Sequence, residues 1–129
     1  MSEIPADLLY TEEHEYLRAA GEEGVYFVGI TDYAQGELGD IVFVELPKVG
    51  EKFGRMDTFG TVEAVKAVSD LYLPVAGEIV EVNSGLADNP AVVNSDPYGE
   101  GWMIKLRVSD ASQLEQLLGA QEYGKHVGT

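Results

Sequence analysis

The sequence predicts a small, mostly-β sandwich or barrel with little helix. Its apolar runs are short, rich in β-branched and aromatic residues, and closed by glycine, proline or turn-forming polar residues, as in Val25–Ile30, Ile41–Leu46 and Gly77–Asn83. Few segments show helical spacing, and six or more short strands can be counted. With 129 residues, 45% hydrophobic and 24% charged, the chain fits one domain spanning 1–129 with an adequate core.

Each element has a local cause. Residues Ile4 to Tyr16 read as a short extended opening, and Gly21-Glu22-Glu23-Gly24 as a turn. Val25–Ile30 is a strand. Thr31 caps a short helix, Asp32 to Leu38, that Gly36 weakens and Gly39 ends. Ile41–Leu46 is a strand stopped by Pro47, and Val49–Gly54 is a loop or short edge strand. Ser84-Gly85 is a turn, Asn89-Pro90 opens a short helix with Asn89 as its cap, and Asn94–Gly101 is a loop. In Trp102–Val108, alternation puts Trp102, Ile104, Leu106 and Val108 inside, Lys105 and Arg107 outside. Asp110, with Gln113 three residues on, caps a C-terminal helix whose stripe is Leu114, Leu117 and Leu118 and whose end is Gly119. Tyr123 to Thr129 reads as a frayed tail.

Gly77-Glu78-Ile79-Val80-Glu81-Val82 echoes Gly39-Asp40-Ile41-Val42-Phe43-Val44 at an offset of 77 − 39 = 38 residues. Such an echo implies two half-motifs about a pseudo-twofold axis, with the connecting hairpin projecting from one end. That connection, about residues 60–77, carries Lys66 between two apolar runs, and Lys66 is the one cation between Arg55 and Lys105. The three-residue spacing of Val62, Val65 and Val68 would also suit a helix. The β-branched residues, the opening Gly60 and the closing Tyr72 and Pro74 favour two strands with Lys66 at their turn.

Composition restricts the function. A formal net charge of −15 repels phosphate backbones, which argues against nucleic acid, and suits partners with basic docking faces. No apolar run approaches the roughly 20 residues that span a bilayer. The start Met1-Ser2-Glu3-Ile4-Pro5 lacks a signal or transit pattern, so a cytoplasmic monomer away from membranes is expected. Without cysteine there is no disulfide, thiolate nucleophile or cysteine metal site, and no metal site is expected. The histidines are His14 and His126; no nucleophile elbow or phosphate-binding glycine loop is present, so a self-sufficient enzyme with catalytic residues is not expected. His14, set among glutamates, reads as a surface histidine, and Asp96-Pro97-Tyr98-Gly99 as a turn.

Gly60-x-Val62-Glu63-x-Val65-Lys66-Ala67-x-Ser69-Asp70, with Leu73-Pro74-Val75-x-Gly77-Glu78 after it, resembles the lipoyl-lysine hairpin of glycine cleavage system H proteins. Gly29–Pro47, Asn94–Lys105 and Leu117–Tyr123 resemble other blocks of that family, so the similarity runs from Tyr10 to Tyr123. The resemblance implies a barrel-sandwich hybrid like that of lipoyl and biotinyl carriers, with short helices and a C-terminal helix. It implies a non-catalytic carrier with lipoic acid amide-linked to Lys66. Glu63 and Gly77 stand where the family's modifying enzyme reads a glutamate three residues before the lysine and a glycine eleven after. Glu15 and Asp70 match positions lining the family's arm cleft. The implied partners are a pyridoxal-phosphate glycine decarboxylase (P protein), an aminomethyltransferase (T protein), dihydrolipoyl dehydrogenase (L protein), and a lipoate ligase or lipoyl transferase. The arm would accept the aminomethyl group of glycine and be reoxidised by the dehydrogenase, the bond-making belonging to those enzymes' cofactors. Tyr16 replaces a usual tryptophan, Tyr33 a frequent histidine, and Glu13 a small hydroxyl residue.

Alternatives lie close by. A biotin carrier usually flanks its lysine with methionine, where this chain has Val65 and Ala67; the lipoyl domain of a 2-oxo-acid dehydrogenase usually shows Asp-Lys-Ala within a shorter, multi-domain chain, against which Val65-Lys66-Ala67 and the C-terminal helix argue. A lipoate relay to other carriers, a paralogous lipoyl carrier and an unmodified binding scaffold complete the set.

Overall fold

The structure is a computed structural model and describes residues 3–128. Two antiparallel sheets enclose the main core, and neither closes into a barrel. Strands β1 (Leu9–Tyr10), β2 (Glu15–Ala19), β3 (Val25–Ile30), β5 (Lys52–Phe53), β8 (Gly77–Val82) and β9 (Ile104–Val108) form a six-stranded sheet in the order β1-β2-β3-β9-β8-β5. Strands β4 (Ile41–Glu45), β6 (Thr58–Ala64) and β7 (Val68–Tyr72) form a three-stranded sheet in the order β4-β6-β7. Valine, isoleucine and leucine from both inner faces fill the space between them: Leu17, Val28, Ile79 and Leu106 from the large sheet, Ile41, Val44, Val62 and Leu71 from the small one. Burying each such side chain contributes roughly 1.5–3 kcal/mol.

The internal echo has a structural counterpart. Register slips between Ile41 and Phe43 against β6, and between Ile79 and Glu81 against β9, so the extra residue is Val42 in one copy and Val80 in the other. These bulges stand at the same 38-residue offset as the sequence match, one in each sheet. The bulge at Val42 turns both Val42 and Phe43 to the outside, where simple alternation would bury one of them.

The predicted helix Asp32–Leu38 is α1, with the Thr31 hydroxyl accepting from the Ala34 N–H at 3.2 Å. Three expectations need correction. The short helix expected from Asn89-Pro90 begins two residues later, as α3 (Val92–Ser95) with Ala91 and not Asn89 at its cap, and it takes in the first two residues of the expected loop; a separate single turn, α2 (Gly85–Asp88), precedes it. Trp102 is not an inward strand residue: it lies before β9 and packs on Phe27, 5.0 Å between centroids, while Met103 takes the buried place and donates its N–H to Val28 O.

The third correction concerns the C-terminus. Asp110 does cap, accepting from Ser112, but the segment it caps is a 3-10 helix, Ala111–Gln116. Gln113 forms no capping box because its Oε1 accepts from the Ala76 N–H at 2.7 Å. Gly119 is a start and not a stop: it stands directly before α4 (Ala120–Val127), and its N–H donates to Glu122. The tail read as frayed is therefore helical through Val127, and Thr129 lies outside the described residues. Tyr123 is the reason. It is fully buried, stacked on Tyr10 at 4.7 Å, in a second cluster with Leu8 and Tyr16 that fastens α4 to the start of the chain.

Candidate functional site

Strands β6 and β7 form the hairpin predicted from the β-branched residues around Lys66, and Val65, Lys66 and Ala67 make its exposed turn. The turn is tight, with the Ala64 N–H donating to Ala67 O at 2.7 Å. It is also tied from behind, since the Val65 N–H donates to Asp40 O at 3.0 Å, in the connection between α1 and β4. The Lys66 stem lies over Gly39, whose φ of +82° suits glycine; a Cβ there would meet Lys66 Cε at 3.1 Å. The lysine therefore projects from a braced turn rather than a loose loop. Among the described residues it makes no ion pair.

A cleft of about 260 Å³ runs beside the hairpin, between α1 and the β2 and β7 strands. Ile30, Ala34, Leu38, Val62 and Leu71 supply apolar wall, Glu13, Glu15 and Glu37 supply acid, and Asp70 stands at its border. Among the described residues no lysine or arginine lines it. Leu38 on its wall directly precedes Gly39, over which the Lys66 stem lies; Lys66 itself does not line the cleft.

Glu15 is the most unusual of these groups. It is 2% exposed, yet belongs to the cleft wall. Its carboxyl accepts from the Thr11 hydroxyl at 2.8 Å and from the Tyr72 N–H at 3.3 Å, which links β2 of the large sheet to β7 of the small one. Burial pushes its pKa up to about 8, against the weaker opposing pull of those hydrogen bonds. Near neutrality it is mainly a neutral acid, and a cation brought into the cleft would favour its ionisation.

Asp70 also borders the cleft, but by alternation its side chain shares the outer face of the small sheet with Val68 and Glu63. Glu63 is two residues before the turn, paired with Val68 on one side and Phe43 on the other. Gly77 lies elsewhere, at the start of β8 in the large sheet. A Cβ there would meet Arg107 O at 2.4 Å, so glycine has a packing reason of its own. The fold thus gathers Lys66, Glu63 and Asp70 on one hairpin with Glu15 on the adjoining cleft, and leaves Gly77 in the other sheet.

The reading of His14 as a surface histidine is overturned. Its φ of +76° turns the ring into the cleft wall, where Nδ1 lies 2.9 Å from the Tyr123 hydroxyl, itself 2.7 Å from Thr31 Oγ1. Burial, and secondarily His126, lowers the pKa of His14. Tyr33, which resemblance alone had singled out, packs on His14 at 5.0 Å. No sequence signal joins His14 to Tyr123, 109 residues away.

Residues 8–129 match the family described as Glycine cleavage H-protein. The chain belongs to this family. Among curated relatives, the glycine cleavage system H protein of Bacteroides thetaiotaomicron is 57% identical over 120 residues, covering 93% of this chain and 94% of that one. The H protein of Carboxydothermus hydrogenoformans is 52% identical over 125 residues, covering 97% and 95%. Among solved structures, the crystal structure of an H protein from Mycobacterium marinum superposes with a TM-score of 0.88 at 43% identity, covering 98% of this chain and all of that one. Family members of nearly full length thus share both sequence and fold with it. Among the described residues no helix is long and apolar enough to cross a membrane.

Proposed function

We propose that this chain is the lipoyl carrier of a glycine cleavage system, with lipoic acid amide-linked to Lys66. The observation that carries the reading is an exposed lysine on a braced hairpin turn whose strands border an acidic cleft with apolar walls. The cleft suits the group chemically: its apolar wall fits an acyl chain, and its carboxyls fit a cationic cargo. When attached, the dithiolane would supply a disulfide: one sulfur would take up the aminomethyl group left when glycine is decarboxylated, as the S–S bond breaks and the other sulfur becomes a thiol. The carrier would take this group from the pyridoxal-phosphate decarboxylase to the aminomethyltransferase, and dihydrolipoyl dehydrogenase would restore the disulfide.

The chain's own residues bind and shield. Glu15 would ionise as a cationic amine enters, and Glu13 and Glu37 would add negative potential at the same wall. The apolar residues of α1 and β6 would exclude water from the cargo. Tethering raises the local concentration of the cargo at each docked enzyme. The absence of cysteine leaves no thiol in the chain to exchange with the arm. Glu63, beside the lysine on the hairpin, and Gly77, at the start of β8, would serve as recognition residues for the modifying enzyme.

Peptide mass analysis after incubation with lipoate ligase, lipoate and ATP tests the reading. One lipoyl increment is expected on the Lys66 peptide, and none on folded Lys66→Ala, which also loses carrier activity. An unmodified wild type beside a modified control carrier would refute the assignment, and unfolding of Lys66→Ala would make the lysine structural.

A further inference from the structure

The two sheets carry similar residues on their outer faces but treat them differently. On the large sheet, Arg18, Phe27, Lys105 and Glu81 form one continuous cross-strand row. The Arg18 guanidinium lies 4.2 Å from the Phe27 ring centroid, the Lys105 amine lies 5.2 Å from it, and Lys105 pairs with Glu81 at 3.0 Å. On the small sheet the corresponding rows are Phe43–Glu63–Val68 and Glu45–Thr61–Asp70. Here Phe43 is 50% exposed, Val42 54%, Val68 66% and Val65 74%. Among the described residues, no ring or cation covers Phe43, and no ion pair engages Glu45, Glu63 or Asp70. An aromatic and three carboxylates thus share one face without a cation.

We propose that this face, centred on Phe43, is the docking surface for the enzyme that acylates Lys66, and that this enzyme meets it with an apolar contact and arginine or lysine side chains. The inference rests on the reading of Lys66 as the acylation site. Charge complementarity selects a basic partner, one that does for Phe43 and Glu63 what Arg18 and Lys105 do for Phe27 and Glu81. Geometry selects the acylating enzyme. It must bring an activated lipoyl ester, such as the adenylate made from lipoate and ATP, to bonding distance of Nζ. The amine nitrogen then forms the C–N bond as the acyl–phosphate bond breaks, AMP leaves and the nitrogen releases a proton. A body that close to a two-stranded hairpin must cover one of its faces. The inner face packs on the core, opens only onto the narrow cleft and is backed by Gly39 and Asp40, so the outer face offers the free surface.

The test is steady-state acylation of the full chain by a lipoate ligase with lipoate and ATP, varying the carrier concentration and ionic strength. Phe43→Ser is expected to raise KM for the carrier at least tenfold with kcat within twofold, and the near-isosteric Val42→Thr to raise it about threefold. Wild-type KM should rise with salt, and Glu81→Gln on the other sheet should leave it unchanged. Acetylation of Lys66 by a small N-hydroxysuccinimide ester should proceed equally in all variants, which separates docking from lysine reactivity. Wild-type KM in folded Val42→Thr and Phe43→Ser would overturn the docking surface while leaving the carrier reading standing; should Phe43→Ser not fold, Val42→Thr and the salt dependence decide. A wild type that takes no lipoyl group would overturn both.

Discussion

The outer faces of the two sheets differ in where their counter-charges come from. The ion pairs among the described residues, Lys105–Glu81, Arg107–Glu22 and Arg107–Glu78, all engage a cation of the large sheet, which also covers its phenylalanine with two cations. The small sheet leaves its aromatic and its acids to solvent, beside the lysine. The large-sheet face satisfies its own chemistry and can serve stability alone. The small-sheet face is left for contact with something else. Exposed apolar groups flanked by unpaired charge mark interaction surfaces more often than structural ones.

The largest effect is expected at Glu15, the buried carboxyl joining the two sheets. Its folded pKa of about 8 lies above the ordinary value of 4.5, so the folded state holds a proton that the unfolded state releases between those limits. Stability should therefore be greatest below pH 4.5 as far as this group is concerned, and fall as pH rises through about 8. Glu15→Gln, neutral at every pH, should flatten that slope and be more stable than wild type at pH 9, by up to about 5 kcal/mol, since 8 − 4.5 is 3.5 pKa units at about 1.4 kcal/mol each. Urea titrations at several pH values measure it. Parallel slopes in the two proteins would show that Glu15 is ionised in the fold.

An intermediate effect separates the phenylalanines. Phe27→Ala should cost roughly 2 kcal/mol, because the ring packs on Trp102 and under Arg18. Phe43→Ala should cost less than about 1 kcal/mol. Equal losses in chemical denaturation would erase the contrast between the faces. The smallest effect concerns charge. Glu81→Gln should cost about 0.2–1 kcal/mol as a surface pair is lost, whereas Glu45→Lys should stabilise by a few tenths by placing a cation in the row with Asp70. A destabilising Glu45→Lys would indicate a counter-charge already in place.

Local signals made much of this legible. The Lys66 hairpin could be read because β-branched residues, a glycine and a proline act within a few residues of one another. Helix α1 could be read because Thr31 caps it locally. Where a side chain found a distant partner, the reading failed. Gln113 suits a capping box until the Ala76 N–H competes for it. Gly119 suits a stop until Tyr123, four residues on, is drawn under Tyr10. Trp102 fits the alternation until a place against Phe27 draws it out of the core and Met103 fills the gap.

Residue order alone was enough for the mostly-β architecture, the acidic surface, the hairpin that presents Lys66 and the family to which the chain is similar. Each depends on composition or on neighbours along the chain. Other features exist only once the chain has folded: His14 turns into the cleft to meet Tyr123, Glu15 is buried as the tie between the sheets, and a bulge turns Val42 and Phe43 outward together. They depend on which strand lies opposite which, and on how far water is excluded from each group, and residue spacing along one chain carries neither.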